Sequence, residues 1–244
     1  MKKHWLWILA LQLIVATAWG ADYAREQKWA DEITPAIVAG DPVYLEARNH
    51  KFLTLFTAVP DARAALVIVH GLGVHPDWSL IGVLRTRLAD AGYTTLSVQM
   101  PVLKNEARGE DYQASFPEAA QRLDQAVAFL KAKGYGKVAI VSHSMGSRMS
   151  HYYLRHAKGH PVDAWVAIGM GGPETYRSFG IPVLDLYGEN DLPMVLKGAA
   201  RRAASLKGNP NSAQVAAPGT DHFFTDHDAE LVKYVRDYLD NTLK

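Results

Sequence analysis

The chain has no cysteine at all among its 244 residues. That excludes a disulfide framework, a cysteine nucleophile, thiolate metal ligands and the lipidated cysteine of a lipoprotein. It also lacks an excess of either charge. Lysine and arginine total 26 against 25 acidic residues, and neither sign gathers into a block. No electrostatic footprint for nucleic acid or for an anionic membrane surface results. Internal repeats, low-complexity tracts and a linker are missing too. With 48% hydrophobic and 21% charged residues, the composition suits one globular domain held together by its core alone.

A long apolar stretch occurs at the start. Met1-Lys2-Lys3-His4 is a short basic lead, Trp5 to Trp19 is apolar, and Ala18-Trp19-Gly20 fits a small-x-small cleavage site. The run falls short of the ~20 residues that span a bilayer comfortably. Residues 1–20 are therefore expected to be a secretory signal peptide, cleaved after Gly20, and 21–244 a single domain exported to the periplasm or secreted. No stable membrane span is expected after cleavage.

From Asp22 onward, strand and helix patterns alternate. A polar amphipathic helix over about Asp22–Glu32 ends at Pro35. Val43–Ala47 and Phe52–Val59 read as an antiparallel edge hairpin around Arg48–Lys51. Ala64–Val69 is a continuous apolar run, as a strand buried on both faces requires. A helix carrying Leu80, Leu84 and Leu88 at four-residue spacing follows. The next strand is Thr94–Met100. Ser115-Phe116-Pro117-Glu118 has the form of a capping box for a helix whose core face is Ala120, Leu123, Val127 and Leu130. Further strands are expected at Lys137–Ser142, Val162–Ile168, Pro182–Tyr187 and Ser212–Ala217, with helices over Met145–His156, Met194–Leu206 and the C-terminus. Such alternation predicts an α/β fold with a mainly parallel sheet of about seven to eight strands and helices on both faces.

Lys137–Ser147 carries the chemistry. An apolar strand runs into Ser142-His143-Ser144-Met145-Gly146 and then a helix. This is a G-x-S-x-G nucleophile elbow with Ser142 in place of the first glycine. The central serine must project from a tight turn, so its flanking positions must be small. In an open α/β sheet, ligands bind at the carboxyl ends of the strands. Ser144, Asp191 and His222 all stand at such ends, in the order Ser…Asp…His. His70-Gly71-Leu72-Gly73 ends an earlier strand, where a loop amide can face the nucleophile. His227 competes with His222, but at a helix start it reads as a solvated surface residue. Asp185 and Glu189 are alternatives to Asp191, and Asp221 is awkward as a partner because it adjoins His222.

Four pieces together, the His-Gly turn, the Ser-His-Ser-Met-Gly elbow, Tyr187-Gly188-Glu189-Asn190-Asp191 and Gly219-Thr220-Asp221-His222-Phe223, resemble the α/β-hydrolase superfamily over nearly all of the mature length. More narrowly, the chain resembles an uncharacterised group of exported proteobacterial proteins of that fold. The resemblance implies Ser144 as nucleophile, His222 as base and then acid, and Asp191 as the residue that orients the imidazole. It implies the amides of Leu72 and Met145 as the oxyanion hole. His70, Gly71, His75, Asp77, Trp78 and His143 are expected to line a substrate site. Gln99-Met100-Pro101, at another strand end, is also expected to face it.

Neither cofactor nor metal is implied, since no metal-ligand spacing is present. The expected activity is that of a serine hydrolase, carboxylesterase-like, acting on an ester or thioester, small or attached to the cell envelope. A peptidase or acyltransferase on the same triad is an alternative, as is a binding protein on the same scaffold. Only Gly171–Gly180 separates two strands where many superfamily members insert a lid, so no large cap is expected. Lys104–Gln113 has room for a small flap at most.

Overall fold

The computed structural model describes residues 20–177 and 179–244. All of the expected signal peptide except Gly20 lies outside the described residues. Eight strands form one sheet in the order β1-β2-β4-β3-β5-β6-β7-β8. The strands are β1 (Asp41–Ala47), β2 (His50–Thr57), β3 (Ala65–Val69), β4 (Thr94–Val98), β5 (Val138–His143), β6 (Ala164–Ile168), β7 (Val183–Gly188) and β8 (Ala213–Ala217). β1 pairs antiparallel with β2, and β2 with β4; every other pairing is parallel. The β1–β2 hairpin closes on two residues, Arg48 and Asn49, both at positive φ. That is the twist-matched form of a two-residue turn.

Among the described residues six α-helices connect or flank the strands: α1 (Tyr23–Ile33), α2 (Leu80–Asp90), α3 (Phe116–Ala132), α4 (Met145–His156), α5 (Pro193–Leu206) and α6 (Asp228–Thr242). The strand pleat sorts side chains into two cores. Val67, Val69, Ile140 and Trp165 face α3 and α4, meeting Leu123, Val127 and Met149. Leu66, Ile68, Val141 and Val166 face the opposite way, toward Leu84 and Leu88 of α2 and Leu231 and Val235 of α6. Side chains in β3, β5 and β6 are thus buried on both faces, which explains their unbroken apolar runs.

Two local expectations fail. The capping box does not form: Ser115 makes no cap bond, and its hydroxyl donates to the Tyr112 carbonyl at 2.7 Å. A short 3-10 turn (Asp111–Ser115) runs directly into α3, so Ser115 already has helical dihedrals. Glu118 points into the interior instead, 2.5 Å from Arg122. Ala120 is only partly buried; Ala119 and Ala126 take its place on the core face.

Candidate active site

β5 ends in the elbow. Ser144 has φ 55° and ψ −119°, a left-handed conformation that L-residues seldom hold. Its N–H donates to the Ile168 carbonyl at 2.8 Å, tying the turn to β6. Small size is essential two residues on: a Cβ at Gly146 would run into the His70 carbonyl. Ser142 is more than a glycine surrogate. Its hydroxyl accepts the Trp165 indole N–H at 2.8 Å, which anchors the largest wholly buried side chain against the elbow.

Two further strand ends meet this turn. The loop after β8 brings His222 Nε2 to 2.9 Å from Ser144 Oγ. The loop after β7 brings Asp191 Oδ1 to 2.6 Å from His222 Nδ1. The Asp191 carboxylate is held on both oxygens. Oδ1 also accepts the Leu192 N–H at 2.7 Å, and Oδ2 accepts the Gly188 N–H at 3.2 Å. Since a carboxylate only accepts, Nδ1 carries the proton and Nε2 is free to accept from the serine hydroxyl. That is the tautomer a general base needs.

The sequence competitors have other partners. Asp185 is buried and accepts from Arg202, Tyr176 and Gln214. Glu189 accepts the Gly219 N–H. Asp221 organises its own turn, accepting from the Phe223 and Thr225 amides and the Thr225 hydroxyl. His227 occupies the position before α6 without a side-chain cap bond, 3.8 Å from Glu230.

The 70–73 turn abuts the elbow: a Cβ on Gly71 would lie 3.2 Å from the Ser144 Cβ. The Leu72 N–H finds no acceptor among the described residues. The Met145 N–H is the first of α4, where the opening amides have no intrahelical acceptor. His70 and His143 are buried behind these groups and do not line the cleft. His70 Nε2 accepts the Met100 N–H at 2.9 Å, so Nδ1 is the donor to the Gly71 carbonyl, also at 2.9 Å. The Gly71 carbonyl shares its peptide plane with the Leu72 N–H, so this bond sets the direction of that amide. His143 Nε2 donates to the His222 carbonyl at 2.9 Å and steadies the loop that carries His222. Burial pushes both imidazoles down to about 3, with the neighbouring His222 adding to the effect at His143. Both are neutral fixtures.

The stretch 75–78, expected on the pocket rim, lies outside the cleft lining. Asp77 is gripped by Arg85 at 2.5 Å. His75 faces Trp29 of α1, and Trp78 meets Phe223 edge-on. Gln99 is likewise buried, donating to the Met100 carbonyl at 2.8 Å. The cleft, about 640 Å³, is lined by Leu72, Ser144, Met145 and His222, by the 104–113 segment, and by residues for which the sequence offered no site signal, among them Leu192, Met194 and Arg148. Its apolar lining is Pro173, Leu192, Met194 and Val195; its polar lining is Arg108, Glu110 and Gln113 from the segment after β4, and Arg148 of α4, which is paired with Glu174 at 2.8 Å. Gly169 forms the floor. It has φ +59°, and a Cβ there would lie 2.9 Å from His222 Cε1. A glycine directly after a buried strand was the signal available for it. Residues 169–182 join β6 to β7 without an added domain. Among the described residues no group of three or more His, Asp or Glu is placed to hold a metal ion, and no helix is long and apolar enough to cross a membrane.

Comparison with known proteins agrees with this architecture. A dienelactone hydrolase from Anabaena variabilis superposes with a TM-score of 0.67 at 17% identity, covering 83% of this chain and 97% of that one. An Agrobacterium tumefaciens protein of unknown function, described as a putative α/β hydrolase, gives 0.65 at 18% identity, covering 83% and 96%. The chain has the α/β-hydrolase fold. A third neighbour with that fold, from Xanthomonas campestris, is described as an α/β serine hydrolase without lid; it gives 0.65 at 13% identity, covering 84% and 95%. Residues 20–121 match a family described as a protein of unknown function, DUF3530. No curated protein sequence matches the chain.

Proposed function

We propose that this protein is a serine hydrolase of acyl compounds, carboxylic esters or thioesters, acting through an acyl-enzyme. The observation that carries the reading is the continuous relay from Asp191 Oδ1 through His222 to Ser144 Oγ, at 2.6 and 2.9 Å. A serine hydroxyl is a weak nucleophile until a base within hydrogen-bond reach takes its proton. Ser144 Oγ attacks the carbonyl carbon as its proton passes to His222 Nε2. Asp191 stabilises the imidazolium and holds the ring in place. The developing oxyanion is received by the Leu72 and Met145 amides. Collapse expels the alcohol or thiol, which takes the proton from Nε2. Water then repeats the sequence on the acyl-enzyme and regenerates Ser144.

The mixed lining suits an ester with one apolar arm. Leu192, Met194, Val195 and Pro173 offer apolar contact, and Arg108 and Gln113 offer polar contacts. The volume is that of an ordinary small-molecule site. Among the described residues no cap domain covers it, so an ester carried on a larger envelope component has access. Export to the periplasm or beyond is part of this proposal and rests on the apolar N-terminal sequence.

The test is a panel of p-nitrophenyl esters and acyl thioesters of graded chain length, followed by stopped flow. Turnover with an initial burst equivalent to the enzyme present, absent in Ser144→Ala, is the expected result. A folded wild type that turns over no member of the panel contradicts the proposal.

A further inference from the structure

Helix α1 stands outside the alternation of strands and connecting helices, yet it reaches the active-site loops. Its N-terminus is fixed twice: the Asp22 side chain accepts the Arg25 N–H at 3.1 Å, and the Asp22 N–H donates to the Val102 carbonyl at 2.7 Å. Glu26 docks it further, accepting from the wholly buried Arg122 of α3 at 2.8 and 3.2 Å. Ala30 then packs over Leu53 and Leu55 of β2.

Held in this way, α1 presents Arg25. Its Nη2 donates to the Gly73 carbonyl at 3.0 Å and its Nη1 to the Leu103 carbonyl at 2.8 Å. These carbonyls belong to two different active-site segments. Gly73 adjoins Leu72, and Leu103 opens the loop that supplies Arg108 and Gln113 to the cleft. Among the described residues Arg25 faces no carboxylate, so the fork is used on main-chain oxygens rather than on an ion pair. The guanidinium also lies 4.5 Å over the Trp29 ring, and Trp29 meets His75 edge-on at 5.7 Å. Gly73 has φ +64°, a conformation glycine leaves easily, so the turn is not rigid on its own account. His70 grips the turn from behind at Gly71; in front, its exit is held from α1.

We propose that Arg25 is a positioning residue for the oxyanion loop, and that α1 is the strap that delivers it. This rests on the hydrolase reading, since the amide being positioned is that of Leu72. A planar fork bridges two fixed carbonyls in a way a flexible ammonium does not. Displacing a catalytic group by about 1 Å costs on the order of 10²-fold.

The experiment compares wild type, Arg25→Ala, Arg25→Lys and Val235→Ala. The last loosens the opposite helical layer and controls for lost stability. Three quantities are read: kcat and KM on an ester from the panel, amide hydrogen exchange of the peptide covering residues 71–75, and recovery of Arg25→Ala by added guanidinium ion. Arg25→Ala is expected to lower kcat by about 10- to 100-fold, to leave KM within about twofold, and to speed exchange at 71–75. Guanidinium should restore part of kcat, Arg25→Lys should recover only a fraction, and Val235→Ala should keep wild-type kcat despite a lower Tm. Arg25→Ala with kcat within about twofold of wild type overturns the proposal. So does a loss of kcat without faster exchange at 71–75, or an equal loss in Val235→Ala. If wild type turns over no ester, it is the hydrolase reading that fails; the exchange measurement still reports separately whether Arg25 holds the loop.

Discussion

β7 and the loop that follows it carry two aspartates with opposite fates. Asp185, within the strand, is wholly buried, and its oxygens take Arg202 Nε at 2.9 and 3.0 Å, the Tyr176 hydroxyl at 2.7 Å and Gln214 Nε2 at 2.6 Å. Asp191, just beyond the strand, is nearly as buried and as fully hydrogen-bonded. Burial and satisfaction therefore do not separate the structural carboxylate from the catalytic candidate. The partner does. Arg202 gives only donors and keeps its charge, so nothing can be passed on through it. His222 has a second ring nitrogen, and that nitrogen faces Ser144 at the cleft.

The comparison breaks if the two aspartates respond alike to the same change. Asp191→Asn should lower kcat by about 10⁴-fold with little effect on Tm, because it leaves the geometry and spoils the imidazole tautomer. Asp185→Asn should do the reverse. Removing one partner of a buried ion pair costs about 3–5 kcal/mol, so urea unfolding should shift strongly while kcat per folded molecule stays near wild type. Replacing both partners, Asp185→Leu with Arg202→Met, should recover much of that stability, since no buried charge is then left unpaired.

Smaller effects sharpen the same contrast on the histidine side. Gly169→Ala places a methyl against His222 at a left-handed position. A loss of about 10²-fold in kcat is expected, with about 1–2 kcal/mol of stability from the unfavourable φ. A crystal structure of the variant would show His222 displaced from Ser144.

The pH dependence of stability is subtler. His70 and His143 are held down to about 3 in the folded protein, against about 6.5 in the unfolded chain. As pH falls between those values the unfolded chain binds protons that the native state refuses, so stability falls with pH. Glu26 acts in the opposite sense: burial pushes it up to about 7, so its share of stability is full below its unfolded value and is lost as pH rises through about 7. Urea unfolding across pH 4 to 8 should show the histidine loss diminished in His143→Gln and the Glu26 loss removed in Glu26→Gln.

Much of this architecture is legible in the sequence because parallel strands buried on both faces must read as unbroken apolar runs, and β3, β5 and β6 do. Ser144 stands at the end of one of those runs, while Asp191 and His222 follow β7 and the partly exposed β8, whose apolar strings also mark them as strands. What stays hidden depends on partners distant in sequence. The 115–118 string has the letters of a capping box, but a preceding 3-10 turn and the buried Arg122 claim its two polar side chains. His75 and Asp77 look like a small polar site until Trp29 and Arg85 are brought against them. Arg25 sits in a helix to which the sequence assigned no role; its two acceptors are carbonyls of Gly73 and Leu103, and a main-chain acceptor leaves no mark in the residue string.

Three serines crowd into the elbow, and the proposed hydrolase activates one of them. Ser142 and Ser147 are buried and bonded to the main chain and to each other, whereas Ser144 alone of the three meets both His222 and the cleft. Labelling the protein with a fluorophosphonate and mapping the adduct by peptide mass tests this directly. A single adduct on Ser144 is expected, lost in Ser144→Ala and in His222→Ala. A folded protein that takes no label, or one that is labelled elsewhere and equally well in Ser144→Ala, would contradict it.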